Sequence, residues 1–362
     1  MSETHPALLP NGLKDLLPPE AEEEARIITC LMDSFSAFGY RRVKPPLVEF
    51  EESLLAPGPG KALARDTFRL MDPVSQHMMG VRADTTAQIA RIAGSRLKQT
   101  VRPLRLSYAV DVLRVNGSQL RPERQFCQVG CELIGAGDFR DDVEISLMAL
   151  KALKDVGVEN LSIDLTIPSL IDTLFDEFKI ESVERNKLES LIQKRDRDGL
   201  KSVKGKATEA LVQLLDCSGL AREAMTGLKK VKLPKAAQAN IKLLSKVYDD
   251  LLGALKTYGM DNINLTIDLI ERRGFEYQNG VSFTLFAPQV RGELGRGGRY
   301  RVAGDSDEDA TGFTLYMDSV RQAVKTPQDQ NRKVLNRNAS WEDIKNLQDQ
   351  GYLVSRGGSE EK

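Results

Sequence analysis

Apolar residues recur along this chain with two periods, and the switches between them mark out its parts. Between residues 20 and 38 they fall at Ile27, Ile28, Leu31, Met32 and Phe35, the spacing of one helix face, with acids in the first turn and Gly39 at the end. Residues 40–50, YRRVKPPLVEF, read as a strand whose two prolines exclude it from the middle of a ladder. PGPG at 57–60 is a loop, and residues 67–81 set TFRLM against HMMGV around Asp72-Pro73-Val74-Ser75, a hairpin pattern. Arg82-Ala83-Asp84-Thr85-Thr86 opens a helix towards Lys98, with Asp84 or Thr85 as its cap. Helical spacing returns at 142–156 and strand spacing at 161–167. From 169 to 258 strand patterns vanish and helical spacing dominates, most clearly at Ile241, Leu244, Tyr248, Leu251 and Leu255. Strand character resumes at 262–270 and 281–286, and the block closes with GELGRGGRY and TGFTLYMDSVRQAV. Residues 326–362 are polar, with Ser340 and Asp343 placed to cap one short helix ending at Gly351. The pattern predicts an α+β fold. An antiparallel sheet flanked by helices spans residues 1–325, an all-helical insertion at 169–258 interrupts it, and a polar tail follows.

One stretch joins these parts, residues 111–135, DVLRVNGSQLRPERQFCQVGCELIG. Arg114 stands between Leu113 and Val115, a polar turn follows, and a run from Phe126 to Leu133 alternates. Strand alternation puts Cys127, Val129, Cys131 and Leu133 on one face, small and apolar enough for a core. Gln128, Gly130 and Glu132 share the other: an amide and a carboxylate around a glycine that leaves room, which fits the floor of a site for a small cationic or amino ligand. The same alternation fits an ordinary half-solvated antiparallel strand, and the segment alone does not choose between the two.

Composition narrows the class. A chain of 362 residues, 41% hydrophobic and 28% charged, fits two or three domains of an ordinary globular protein. Lys and Arg number 51 against 52 Asp and Glu, so no global field points to nucleic acid. There is no apolar run near roughly 18 residues and no signal-like N-terminus, which predicts a cytoplasmic protein without a membrane partner. The four cysteines read as reduced thiols. Cys127 and Cys131 sit on the apolar face, and His5 and His77 lie in unpatterned contexts, so no metal site is expected.

In order and spacing, the segments resemble the catalytic core of class II aminoacyl-tRNA synthetases, histidyl-tRNA synthetase in particular, over roughly residues 10–325. GLKDLLP looks like that family's N-terminal signature, and residues 20–50 look like its dimer-forming motif 1, with Pro46 in the place of its proline. Arg114 with RQFCQVGCELIG resembles motif 2. ERRGFEYQNG resembles the histidine-recognition segment RGLDYYTG, and GGRY with GFTLYMDSV resembles motif 3. The departures bear on function. The motif 3 arginine that clamps the ATP γ-phosphate is Ser319 here, Tyr316 replaces a small residue before it, and the motif 2 glutamate is Asn116. GGRYD reads GGRYR, which places Arg301 where the family has an acid. Removing one preorganised donor from such a site costs about 3–4 kcal/mol of barrier lowering, so adenylation is not expected. Residues 326–362 are also too few and too polar for the family's C-terminal anticodon-binding domain.

A synthetase-like core with these departures is similar to the regulatory-subunit family of ATP phosphoribosyltransferase, which acts in histidine biosynthesis. That resemblance implies a non-catalytic homodimer that joins a short catalytic subunit in a hetero-oligomer, with L-histidine as feedback effector and with no cofactor and no tRNA. It implies an effector site made by Asp84 and Thr86 at the α-amino group, Arg114, Gln128 and Glu132, and Arg273 and Tyr277 of the recognition segment. The second tyrosine of that segment is Gln278. An ion pair of Arg273 with Glu271 or Glu276 is the plain structural alternative. Two other functions fit the resemblance: a minimal histidine-adenylating enzyme, and a histidine-binding regulator with no catalytic partner.

Overall fold

The computed structural model describes residues 8–56, 59–60, 63–119, 121–135, 137–271, 278–302, 308–325 and 332–357. Helical spacing at the start of the chain becomes α1 (Glu20–Ala37), with Glu20, Glu22 and Glu23 in its first turn, where carboxylates suit the positive helix end. Gly39 just beyond it takes φ +82°, which glycine adopts without strain. Ile27, Leu31 and Phe35 are buried in the chain's own core, and Phe35 meets Phe313 edge-on with ring centres 5.4 Å apart. The α1 stripe is therefore satisfied within one chain.

Residues 40–50 do not form one strand. Pro45 and Pro46 divide them into β1 (Arg41–Arg42) and β2 (Val48–Phe50), because proline brings no N–H to a ladder. The buried Arg82 takes up the carbonyls instead, donating to Pro45 O at 3.0 Å and Pro46 O at 3.2 Å. After the single-turn α2 (Glu51–Leu54), the hairpin of β3 (Arg69–Met71) and β4 (Met78–Val81) pairs with β2 as a three-stranded antiparallel sheet. The next helix, α3 (Thr86–Gly94), ends short of Lys98.

Beyond α3 come β5 (Leu104–Leu113), β6 (Gln125–Ile134), α4 (Phe139–Asp155) and β7 (Ser162–Thr166). The following segment runs through α5 (Ser169–Glu177), α6 (Ser182–Gln193), α7 (Arg197–Ser202), α8 (Lys206–Asp216), the two-residue strand β8 (Gly219–Leu220), α9 (Ala221–Leu228) and α10 (Lys235–Thr257). The chain returns as β9 (Asn264–Ile267), β10 (Gln278–Phe286), β11 (Gly295–Val302), β12 (Glu308–Tyr316) and α11 (Met317–Ala323). These strands make one sheet in the order β1-β5-β6-β12-β11-β10-β7-β9-β8. Pairing is antiparallel from β5 to β7, with Leu104 opposite Ile134 and Gly312 opposite Glu132. The sheet is mixed rather than wholly antiparallel, since β1 runs parallel to β5 and β9 parallel to β7. The second parallel pair follows from the long helical crossover between its strands.

On one face of the sheet, Cys127, Val129, Cys131 and Leu133 pack into the core shared with α1, α4 and the crossover helices. On the other, Ile89, Ala90 and Ala93 of α3 cover Leu104, Leu106, Tyr108 and Ile134. From Phe126 to Ile134 every residue of β6 is buried, so the half-solvated reading of this strand fails. A covering helix, not water, meets its polar face.

Residues 325–362 form a separate unit. It holds β13 (Arg332–Leu335), α12 (Trp341–Asp349) and β14 (Leu353–Arg356), with the strands parallel. Ser340 and Asp343 make a reciprocal capping box at the start of α12. The polar sequence gave no sign of the two strands. Among the described residues no helix is long and apolar enough to cross a membrane.

Candidate functional site

The β6 alternation carries Gln128 and Glu132 under the start of α3, and Glu132 is only 1% exposed. Tyr300 of β11 donates its hydroxyl to Glu132 Oε2 at 2.9 Å. Burial pushes the Glu132 carboxyl up from 4.5 to about 8, against the lowering pull of the Tyr300 and Thr86 hydroxyls. The carboxylate lies over Gly312 of β12, where any Cβ would overlap Oε2. Only glycine fits there.

Gly130 does not leave room for a ligand as expected. Tyr108 fills the space, its hydroxyl 2.7 Å from where a Cβ on Gly130 would stand, and that hydroxyl shares a 2.7 Å hydrogen bond with Thr314 Oγ1. Gln128 is committed as well. Its Oε1 accepts from the Thr85 N–H at 3.0 Å and the Thr85 hydroxyl at 2.8 Å, and its Nε2 donates to Asp84 Oδ2 at 2.8 Å. Asp84 Oδ1 accepts from the Thr86 N–H at 3.0 Å. Thr85 occupies the N-cap position of α3 without capping through its own side chain. Gln128 thus clamps α3 to the sheet and orients Asp84.

A cavity of about 340 Å³ opens beside this clamp. Asp84, Thr86, Arg114 and Glu132 line it, together with Gln278 and Tyr300, while Gln128 supports from behind. Arg114 donates from Nε to Ala83 O at 3.2 Å and stands 3.8 Å from Asp84 Oδ2. Gln278 Oε1 and Ser282 Oγ are buried with no hydrogen-bond partner among the described residues. Gly298 makes space for both, since a Cβ there would come within 2.5 Å of Ser282 Oγ and 2.6 Å of Gln278 Oε1. Unpartnered buried polar atoms at a cavity mark where a ligand donor can sit. Arg273 and Tyr277, with the alternative Arg273–Glu276 pair, lie outside the described residues.

Tyr316 also lines the cavity and carries a stacked cation. The Arg121 guanidinium, from the turn after β5, lies 3.7 Å from the Tyr316 ring centre and 5.3 Å from that of Phe126. Its Nε is 2.9 Å from Asp318 Oδ2, and Nη2 is 3.8 Å from Glu293 Oε1. Phe126 and Tyr316 meet edge-on with ring centres 6.0 Å apart. Burial raises the Asp318 carboxyl, and the Arg121 charge pulls it back down. Ser319 is buried in α11 and does not line the cavity. Arg301 points away from it and stands 3.5 Å from Asp309, so the reversed charge of GGRYR lies outside the site. Sequence reasoning singled out Tyr316 as a departure but missed Arg121, which reads as one more polar residue of a turn. It also missed Tyr300, although its place in GGRY was a signal.

Comparison with known proteins agrees with this architecture. The Histidyl-tRNA synthetase family model matches residues 12–320. A protein of Rhodospirillum centenum named ATP phosphoribosyltransferase regulatory subunit is 49% identical over 346 residues, 96% of this chain and 88% of that protein. One of the same name from Rhodospirillum rubrum is 43% identical over 324 residues, 89% and 82% of the two chains. A Bacillus halodurans structure described as an ATP phosphoribosyltransferase regulatory subunit/histidyl-tRNA synthetase matches with TM-score 0.82 at 23% identity, covering 100% of this chain and 95% of that one. Histidyl-tRNA synthetase of a Nostoc species matches with TM-score 0.77 at 16% identity, over 99% and 88% of the chains. These two structural likenesses speak for the fold alone. With half its residues shared with the first relative along nearly its whole length, the chain belongs to the histidyl-tRNA synthetase family and, within it, to the ATP phosphoribosyltransferase regulatory subunits.

Proposed function

We propose that this chain is a non-catalytic regulatory subunit that acts with a short catalytic chain in ATP phosphoribosyltransferase, and that its cavity binds L-histidine as the feedback effector. The observation that carries the reading is the division of one site into two unlike halves. Asp84, Thr86, Glu132 and Gln278 leave acceptors facing a cavity sized for an amino acid. Where motifs 2 and 3 meet, the side that the resemblance assigns to ATP, Arg121 stacks on Tyr316 and pairs with Asp318. We read the first half as a place for an amino acid and the second as one that takes no triphosphate for adenylation.

Histidine offers an ammonium, ring N–H donors and a carboxylate. Asp84 supplies negative charge for the ammonium, Glu132 a buried carboxyl that can give up its proton when a cationic group binds, Gln278 Oε1 a neutral acceptor, and Arg114 a cation for the carboxylate. Histidine regulates the assembly only to the extent that it binds two states of that assembly with different affinity. Glu132→Gln keeps size and removes the carboxyl that would ionise as a cationic group binds. It is expected to weaken histidine binding by about 1.5–3 kcal/mol in calorimetry. Histidine inhibition of the reconstituted complex should weaken in parallel, with phosphoribosyl transfer in the absence of histidine unchanged. Unaltered affinity and unaltered inhibition would remove this cavity as the effector site.

The same carboxyl gives a pH signature without ligand. Its folded pKa of about 8 lies above the ordinary 4.5, so the fold favours the protonated form. That contribution is whole below the ordinary value and is lost as pH rises through the folded one. Thermal unfolding at fixed ionic strength should show Glu132→Gln gaining on the natural chain from about pH 5 to 8. A difference independent of pH would contradict the buried, raised carboxyl.

The homodimer is proposed on a different face from the α1 stripe. Leu47, Phe50, Leu70, Met71, Val74 and Met78 lie on or beside the three-stranded sheet, each at least 39% exposed. The register puts Phe50 and Leu70 on one side of that sheet and Met71 and Met78 on the other, and exposed apolar side chains on so small a sheet suit an isologous two-fold contact. Light scattering at micromolar concentration should find a dimer that Met71→Asp reduces to monomer; a monomeric natural chain would exclude it.

A further inference from the structure

The crossover between β7 and β9 contributes nothing to the cavity, yet it carries a surface of its own. α9, the turn at 229–234 and the first half of α10 enclose a groove of about 370 Å³. Met225, Leu228, Val231 and Ile241 give it an apolar floor, and Lys229 and Lys242 stand at its rim. The stretch of chain that forms most of it is one-sided in charge. Residues 226–248 contain Lys229, Lys230, Lys232, Lys235, Lys242 and Lys246 and no acidic residue, in a chain whose whole has 51 basic and 52 acidic residues. All six lysines are exposed. Lys242 and Lys246 are four apart on α10, a like-charge pairing that works against the helix. The nearest acids in sequence, Glu223 before the stretch and Asp249 and Asp250 after it, flank the basic run without interrupting it.

We infer that this groove docks an acidic, amphipathic segment of the catalytic partner chain, an inference that rests on the regulatory-subunit reading above. The floor supplies the reason for choosing a protein. Apolar side chains of such a segment, including those that fill the space beside Met225, a residue type that adapts its shape to a partner, would leave water there. Carboxylates on the flanks of the same segment meet the lysine rim, which steers the encounter and fixes its register. A nucleic acid backbone would engage the lysines and leave the apolar floor unused.

The test titrates the short catalytic chain into the full-length protein by calorimetry at low and moderate salt. The natural chain should bind, more weakly as salt rises. Lys229→Glu with Lys242→Glu should weaken binding about tenfold or more, while Lys187→Glu, the same charge change at an exposed position of α6, should leave affinity within about twofold. The lysines are exposed, so the double variant should unfold at the temperature of the natural chain, and its binding then reports on docking alone. Natural-level binding by the double variant would overturn the docking site and leave the proposed function standing. Failure of the natural chain to bind the catalytic chain at all would overturn that function and this inference with it. Polyuridylate binding that the double variant loses, with catalytic-chain binding unchanged, would assign the groove to nucleic acid and overturn the inference.

Discussion

A carboxyl group held almost wholly out of water at the middle of a sheet is the constraint on which this site depends. Burying an ionised Glu132 without a cation is costly, and the chain meets that cost with a proton and two hydroxyl groups. Its neighbours are fixed by the same demand. Gly312 has no Cβ because the carboxylate lies over it, Tyr300 is aimed by β11, and Gln128 locks α3 over the strand. Beneath the sheet, the buried pair Arg299–Asp142, 3.0 Å apart, ties β11 to α4 and so holds the strand that presents Tyr300. A cationic group placed in the cavity would meet a preformed carboxyl whose proton it could displace, with no loose side chain to order.

A different economy of charge holds Arg121 in place. Arg121 is flat, cationic and stacked on an aromatic face, and its charge is answered by Asp318 and Glu293. Moving it aside would strip Arg121 of a ring and two carboxylates and leave Asp318 buried without its cation, a strongly unfavourable change. Ser319, where the resemblance expects an arginine, is buried in the same helix as Asp318.

Much of this was legible in sequence because its signals were local. The 3.6-residue spacing at Ile27, Leu31 and Phe35 became α1, the TFRLM and HMMGV runs became β3 and β4, and the alternation from Phe126 to Leu133 became β6 with Glu132 facing the cavity. What stayed hidden depended on a second element. Alternating polar residues on β6 suggested water, whereas α3 covers them. Gly130 suggested space, which the Tyr108 ring from the neighbouring strand fills. Arg121 looked like turn punctuation, and only the approach of β12 gives it Tyr316 to stack on. The paired prolines signalled an interruption, but not that the two halves of residues 40–50 would join different sheets.

The central proposal is that the cavity takes an amino acid and no nucleotide. Calorimetric titration of the chain alone, first with L-histidine and then with ATP and magnesium, tests it most directly. The account predicts saturable binding of histidine near one per chain and no heat of binding from ATP, with or without histidine present. Stoichiometric ATP binding, or ATP binding that histidine strengthens, would contradict it.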